Sequence, residues 1–403
     1  MPIKTLAIIT SQAFSLVNFR GPLIRDLVAH GIRVYALAPD YCTEVREKVM
    51  ALGAEPVDIS LCNTGMNPFR DLLDTLKLAR LLKRIRPDAT FGYFIKPVIY
   101  GAFASRLAKV PRHYSMVEGR GYVFEGHSEE LGLGRRIMRR GVTALYRRAL
   151  ALSDCTIFLN RDDMNFFQLK RMVTNDRVAR IHGIGLDLAH FMPLAPHREP
   201  IRFVMISRML TAKGVYEFVE AARRVKEVRP EVEFCLVGGT DTHDRSVPRQ
   251  QLVAWRKQGL VEWVGHSRDV RYWLARASVY VLPSWYGEGV PRGNQEAMAM
   301  ARPVITTDWV GCRDTVVHGH NGLLVPPKDP QALASAMLHY VEHPQAIEEH
   351  GRHGRSMAER LYDVRQTNSR IFAAMGLVRH PSRCGGANTK EAAAERHDLL
   401  TLS

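Results

Sequence analysis

Residues Val279–Asp308 (VYVLPSWYGEGVPRGNQEAMAMARPVITTD) constrain the fold more than any other part of this 403-residue chain. Val279–Leu282 reads as a buried strand that breaks at Pro283-Ser284. A loop follows with Gly287, Gly289, Pro291 and Gly293, then a helical pattern over Asn294–Ala301 and a second apolar strand, Pro303–Thr307. Strand, glycine-rich loop, helix and strand in that order belong to an open parallel α/β sheet, whose ligands sit beyond the carboxyl ends of the strands.

Two carboxylates punctuate this block, Glu288 in the loop and Glu296 on the helix. Glu296 falls about one turn into the helix, so its side chain can lean back toward the helix start and accept hydrogen bonds from a vicinal diol such as a ribose. Glu288 is expected on the opposite lip. Between them the Gly289–Val290–Pro291 loop and the first helical amides suit an anion. The competing reading is plain: one solvated loop acid and one exposed helix acid.

The rest of the chain repeats the same alternation. Strands are expected at Lys4–Thr10, Arg33–Pro39, Pro56–Ile59, Ala89–Tyr93 and His113–Val117. Helices are expected at about Asn18–His30, Thr43–Leu52, Pro68–Arg86 and Pro97–Ala108. This is a Rossmann-like half, and the lack of GxGxxG after its first strand argues against a dinucleotide cofactor. Cys155–Asn160 continues the strands, Pro193, Pro196 and Pro200 mark a linker, and a second half starts at Ile201. There the strand Ile201–Ser207 runs into Arg208-Met-Leu-Thr-Ala-Lys213-Gly214 before a helix over Val215–Val228. Two cations flanking a strand-to-helix turn can converge on an anion at the helix start, or can be ordinary surface charges. A helix near Arg355–Met375 is expected to cross back to the first half, and residues 378–403 are expected to be a mobile tail.

Polar groups at strand ends of the first half offer further candidates. Asn18-Phe19-Arg20 follows the first strand. Lys96 precedes Pro97 at a helix start, an unfavourable place for a cation unless an anion is present. Glu118 lies just past a buried strand, with Gly119 and Gly121 allowing close approach of a ligand to backbone. Arg20 also reads as an exposed first-turn residue and Glu118 as a turn acid.

Composition narrows the partners. The formal charge is +15, with net +10 in residues 1–190 and +5 in the remainder. A basic surface calls for an anionic partner. No aromatic–basic interleaving supports nucleic acid, so an anionic membrane leaflet or a diphosphate-bearing substrate fits better. Arg135–Leu152 reads as an amphipathic helix with Met138, Val142, Leu145, Ala149 and Leu152 on one face and Arg135, Arg136, Arg139, Arg140 and Arg147 on another; Tyr122, Val123, Phe124, Leu131 and Leu133 precede it in an apolar loop. It suits a membrane surface, or a domain helix with solvated arginines. No apolar run reaches the ~18–20 residues that span a bilayer. Six scattered cysteines without metal spacing point to reduced thiols in a cytoplasmic protein.

The block YGEGVPRGNQEAMAMARPVITTD resembles the E-x7-E signature of retaining glycosyltransferases of family 4, and Val310–Val316 (VGCRDTV) and His320–Pro327 (HNGLLVPP) continue the same pattern. The likeness runs from about Lys4 to about Met375. It departs from the family at Gly293-Asn294-Gln295, where small and aliphatic residues are commoner. VEGRGYVF (Val117–Phe124), NFR and the IKP segment are similar to a subgroup that extends glycans on undecaprenyl diphosphate.

The resemblance implies an α/β protein of GT-B fold, two Rossmann-like doubly wound domains facing across a cleft. It places an acceptor domain over residues 1–190, a nucleotide-sugar domain over 191–354 and a returning helix over 355–377. It implies retaining transfer of a hexose or N-acetylhexosamine from a nucleotide sugar, UDP favoured over GDP, to a lipid-diphosphate-linked saccharide. By the same likeness, Arg208 and Lys213 grip the donor diphosphate, Glu296 the ribose and Glu288 the donor-sugar hydroxyls. Gly289, Val290 and Pro291 line the donor loop, Lys96 and Glu118 face the reacting groups, and Asn18 and Arg20 meet the acceptor. No DxD-type metal signature stands in a suitable loop, so neither metal nor cofactor is expected, and the implied location is the inner face of the cell membrane. Two alternatives remain open: a nucleotide-sugar epimerase or hydrolase of the same fold, and a non-catalytic basic membrane-binding protein.

Overall fold

Strand and helix alternate to build two separate all-parallel sheets. A computed structural model describes residues 2–61, 67–121, 124, 132–240 and 245–377. The first sheet holds β1 (Thr5–Ile9), β2 (Arg33–Ala38), β3 (Glu55–Asp58), β4 (Ala89–Tyr93), β5 (Arg112–Val117), β6 (Cys155–Phe158) and β7 (Val178–Arg180), in the order β3-β2-β1-β4-β5-β6-β7. The second holds β8 (Arg202–Ile206), β9 (Glu233–Val237), β10 (Glu262–Trp263), β11 (Val279–Leu282), β12 (Val304–Thr307) and β13 (Gly322–Val325), in the order β10-β9-β8-β11-β12-β13. Central strands such as Leu6–Ile9 and Val279–Leu282 are buried along their length, because helices cover both faces of such a sheet. Each buried aliphatic side chain contributes about 1.5–3 kcal/mol.

In each sheet the direction of winding reverses once, between β1 and β4 and between β8 and β11. Those are the positions at which an open α/β sheet opens a crevice at its carboxyl edge. The loops leaving β1, β4, β8 and β11 carry Asn18 and Arg20, Lys96, Arg208 and Lys213, and Glu288.

Two compact units contain these sheets. One comprises Met1–Glu118, Gly126–Ile181 and the chain from Asn368; the other comprises Gly119–Glu125 and His182–Thr367. The main break falls at Ile181–His182, ahead of the proline-marked linker, because residues 182–200 pack on the second unit. Leu186 N donates to Tyr362 O and His197 N to Ala277 O. Fully buried Arg302 donates to the carbonyls of Leu194, Ala195, Leu274 and Met300, with burial lowering its pKa to about 10. The returning residues join the first unit: Asn368 Nδ2 donates to Asp26 Oδ2 at 2.7 Å and Tyr114 Oη to Met375 O at 2.7 Å.

Several elements differ from their sequence reading. The helix expected over Asn18–His30 is two, Phe14–Asn18 and Gly21–Ala29, with Arg20 between them. Pro97–Ala108 opens as a π-helix, Pro97–Gly101, before continuing as α-helix. The single helix expected near Arg355–Met375 is Gln345–Leu361 followed by Val364–Ala374, interrupted where Leu186 pairs with Asp363. The basic helix spans Leu133–Leu150 and buries Val142, Tyr146, Ala149 and Leu150. Tyr122, Val123, Leu131, the Arg135 side chain and the tail 378–403 lie outside the described residues. Cys42, Cys155, Cys235 and Cys312 are free thiols, and Cys62 and Cys384 also lie outside the description.

Candidate active site

In the second unit, the loops leaving β8 and β11 are hydrogen-bonded to each other. After β8 comes exposed Arg208, then a 3-10 turn, Thr211–Lys213, and Gly214 at φ +82°. After β11, Trp285 N donates to Ala212 O at 2.9 Å and Ser284 Oγ lies 3.3 Å from the same carbonyl. Gly214 is required at this junction, since a Cβ there would stand 2.2 Å from Pro283 O, on top of its left-handed backbone.

This junction ion-pairs Lys213 Nζ with Glu288 Oε1, and Ser284 Oγ donates to the same oxygen at 3.0 Å. Lys213 Nζ also lies 5.2 Å from the centre of the Tyr286 ring, a cation–π placement. From the other side the Gly311 turn presses on the Glu288–Gly289 backbone: a Cβ at Gly311 (φ +77°) would lie 2.4 Å from Gly289 O. Glu288 is therefore held from its side chain and from its backbone.

The helix of this block is Arg292–Ala299, starting directly after Gly289, Val290 and Pro291. Its first amides direct the positive end of the helix dipole toward the Glu288 loop. Glu296 leans back along the helix as expected, and Arg292 Nε donates to its Oε1 at 2.8 Å. Burial raises the Glu296 carboxyl above the ordinary range, with Arg292 opposing the shift. Burial, then the charges of Glu296 and Glu288, hold Tyr280 well above its ordinary pKa, and burial takes Cys312 to about 12.

Gly293-Asn294-Gln295, the departure from the family pattern, does form helix, and both amide side chains are fully buried. Asn294 Nδ2 donates to Thr315 Oγ1 at 2.8 Å, and Asn321 Nδ2 donates to Thr315 O at 2.9 Å. Gln295 Nε2 donates to Val290 O at 3.2 Å, tying the helix to the Gly289–Pro291 loop.

In the first unit, Arg20 is 1% exposed and ion-paired with Glu118. Its guanidinium lies 4.6 Å from the Tyr93 ring centre, and Nη2 donates to Met116 Sδ at 3.1 Å. Tyr93 Oη shares a hydrogen bond with Ser15 Oγ at 2.7 Å. Arg20 thus plugs the gap between the ends of β4 and β5, whereas Asn18, closing the short helix, has an exposed side chain. The anion demanded by Lys96 is internal: Lys96 Nζ donates to Asp71 Oδ1 at 2.8 Å, and Asp71 is buried on the helix Pro68–Ile85. Phe94, two residues earlier, has φ +70°, a strained turn for a bulky residue and one that delivers Lys96 to the π-helix start.

The second unit thus groups Lys213, Glu288 and the Gly289–Pro291 loop with the helix bearing Glu296, and leaves Arg208 exposed at the end of β8. The first unit groups Arg20 with Glu118, while Lys96 pairs with Asp71. Sequence reasoning missed Asp71, Tyr93, Ser284 and Arg292. Arg292 was findable, four residues before Glu296 on one helix face. Asp71 carried a weaker signal, as an acid beside Asp74 and Thr75 in a leucine-rich helix. Among the described residues, no group of three or more His, Cys, Asp or Glu is placed to hold a metal ion.

The family model described as glycosyl transferases group 1 matches residues 200–343. A Campylobacter jejuni protein named N,N'-diacetylbacillosaminyl-diphospho-undecaprenol alpha-1,3-N-acetylgalactosaminyltransferase is 27% identical over 336 residues, covering 79% of this chain and 85% of its own. A Bacillus subtilis protein named "Putative teichuronic acid biosynthesis glycosyltransferase TuaC" is 33% identical over 290 residues, 69% of this chain and 67% of its own. Anabaena HepE, solved in complex with UDP, superposes with a TM-score of 0.72 over 94% of this chain and 100% of its own, at 17% identity. The chain belongs to the glycosyl transferases group 1 family and is a glycosyltransferase of GT-B fold.

Proposed function

We propose that the protein transfers a hexose or N-acetylhexosamine, with retention of anomeric configuration, from a UDP sugar to a saccharide carried on a lipid diphosphate. The observation that carries the donor half is the Lys213–Glu288 pair beside the start of the Arg292–Ala299 helix. When the bond from the anomeric carbon to the diphosphate oxygen breaks, charge builds on the leaving group. Lys213, Arg208 and the first helical amides stabilise it as preorganised donors, the service a metal ion gives elsewhere, so transfer is proposed to need none. Glu296 accepts the ribose hydroxyls, and Glu288, released from Lys213 when the diphosphate arrives, accepts those of the sugar. The acceptor oxygen attacks from the face the diphosphate leaves, and its proton passes to the departing diphosphate oxygen.

The lipid-diphosphate acceptor is supported by the name of the Campylobacter jejuni relative, and polysaccharide assembly at the inner membrane face follows as part of the reading. Asn18 is assigned to the acceptor. Glu118, held by Arg20, positions the attacking group. Its carboxylate is occupied by Arg20, so proton abstraction is not assigned to it.

The test is a matrix of UDP and GDP sugars against a short-chain prenyl-diphosphate saccharide, with and without EDTA, and the product linkage read by NMR. An axial product from an axial donor, formed at the same rate in EDTA and lost in Glu296→Ala, is expected. An inverted linkage would overturn retention, and loss of activity in EDTA would overturn metal independence. Donor epimerised or hydrolysed equally well without acceptor would overturn transfer itself.

A further inference from the structure

The helix Pro68–Ile85 is turned inside out over its first two turns. Its inward face reads Asp71, Asp74, Thr75, Leu78, Ala79, Leu82, all buried, and the last three join the core with Ala7, Ile9 and Leu37. Its outward face reads Phe69, Leu72, Leu73 and Leu76, exposed to 81%, 56%, 58% and 36%, before turning cationic at Lys77, Arg80 and Lys83. An ordinary surface helix would bury the leucines and expose the aspartates. Asp71 on that face is satisfied by Lys96, and Leu78, Ala79 and Leu82 are buried on the same face, so the register presents Leu72, Leu73 and Leu76 to solvent.

The helix Leu133–Leu150 repeats the plan. Leu133 and Ile137 are 75% and 60% exposed on the side away from Val142, Tyr146 and Ala149, and that side continues into exposed Arg140, Arg147 and Arg148. Both helices pack against the segment Pro97–Ala108. Each follows the carboxyl end of a strand in a parallel sheet, β3 or β5, so their apolar first turns lie along the sheet edge that carries Lys96 and Glu118.

We propose that these two apolar helix starts, with the cationic turns behind them, dock the first unit on a bilayer of anionic phospholipid. The leucines and Phe69 enter the boundary between headgroups and acyl chains, and the Lys and Arg side chains meet lipid phosphates. The proposal rests on the lipid-linked acceptor reading for its purpose. It also replaces the arginines of the second helix, as the principal anchor, with the Phe69–Leu76 stripe. Charge decides the occupant: an apolar patch bordered by several exposed cations and no exposed acid on either outward face suits an anionic surface better than another copy of this basic chain.

Co-sedimentation of the full chain with phosphatidylcholine vesicles, with and without phosphatidylglycerol, reads the interaction with no donor or acceptor present. Its failure therefore leaves the transferase reading standing, and failure of transfer leaves vesicle binding standing. Binding to the phosphatidylglycerol vesicles alone, weakening with salt, is expected. Leu72→Glu/Leu73→Glu should weaken it by about tenfold or more while the far-UV circular dichroism spectrum is retained. Lys77→Glu/Arg80→Glu should weaken it about tenfold and flatten the salt dependence; this variant decides alone if the leucine variant does not fold. Wild-type protein that ignores anionic vesicles, or variants that bind like wild type, would overturn the proposal. So would a wild-type dimer without vesicle affinity that Leu72→Glu/Leu73→Glu splits into monomers.

Discussion

Lys213 and Glu288 form an ion pair whose side chains are only 14% and 12% exposed, although 74 residues separate them in the chain. Each reaches the other because the loops of β8 and β11 meet at Ala212, Pro283 and Trp285. The pair, with Ser284 on the same carboxylate oxygen, orients both side chains before a ligand arrives.

Losing one member strands the other. Lys213→Met is expected to lower kcat by about 10²–10³-fold, the usual cost of losing one donor to a developing oxyanion. It should also lower stability by about 1–3 kcal/mol, less than for a wholly buried pair. Glu288→Gln should cost activity similarly and stability less, since Ser284 still meets the amide. If the double variant is no more stable than the additive sum of the two, the pairing carries no coupling energy; thermal melts of all four proteins measure it.

Glu296 gives a pH signature. Its carboxyl is raised by burial, so it takes up a proton at a higher pH than an exposed glutamate, which titrates at about 4.3. The protonated form accepts ribose hydroxyls poorly, so the donor KM should climb on acidification from neutral pH before ordinary carboxylates titrate. The folded state binds this proton more readily than the unfolded chain, so the same acidification adds stability through this group. Donor affinity and this contribution to stability therefore move in opposite directions. Glu296→Gln should have a weaker donor affinity with a flat pH profile, measured by KM at a series of pH values.

Gly214→Ala tests the loop junction directly. The added methyl meets the Pro283 carbonyl, a backbone atom, and the residue already has φ +82°. A loss of about 2 kcal/mol or more is expected, with lower kcat because Lys213 is the adjacent residue. Ala at Gly259 has the same positive φ problem with nothing within 4 Å, so it should cost only the backbone term of about 1 kcal/mol and leave kcat unchanged.

How much of this was legible in sequence follows from what each signal measures. Strand ends such as Ala89–Tyr93 were readable because buried parallel strands are uninterrupted apolar runs closed by turn residues. The meeting of the β8 and β11 loops was readable because their charged and glycine residues are packed into short segments, Arg208–Gly214 and Glu288–Glu296. What stayed hidden was long-range polar pairing. Periodicity alone would have turned Leu72, Leu73 and Leu76 inward, because nothing local reveals that Lys96 meets Asp71 in the interior. The break at Phe19-Arg20 was equally invisible, since it exists to sink a guanidinium onto Tyr93 and Glu118 from elements far along the chain.

That sunken guanidinium separates two roles the loop after β1 could play. Arg20 is committed to Glu118, Tyr93 and Met116, so Arg20→Met should destabilise the protein by about 1–3 kcal/mol, the cost of leaving a mostly buried carboxylate without its partner. Arg20→Lys keeps the charge without the planar fork and should recover part of the loss. Asn18, exposed at the end of the short helix, should behave in the opposite way: Asn18→Ala is expected to raise the acceptor KM severalfold and leave the melting temperature in place. If Arg20→Met instead melts with wild type and only the acceptor KM rises, the arginine meets substrate and its contact with Glu118 is incidental. Thermal melts read beside acceptor titrations at saturating donor distinguish these outcomes.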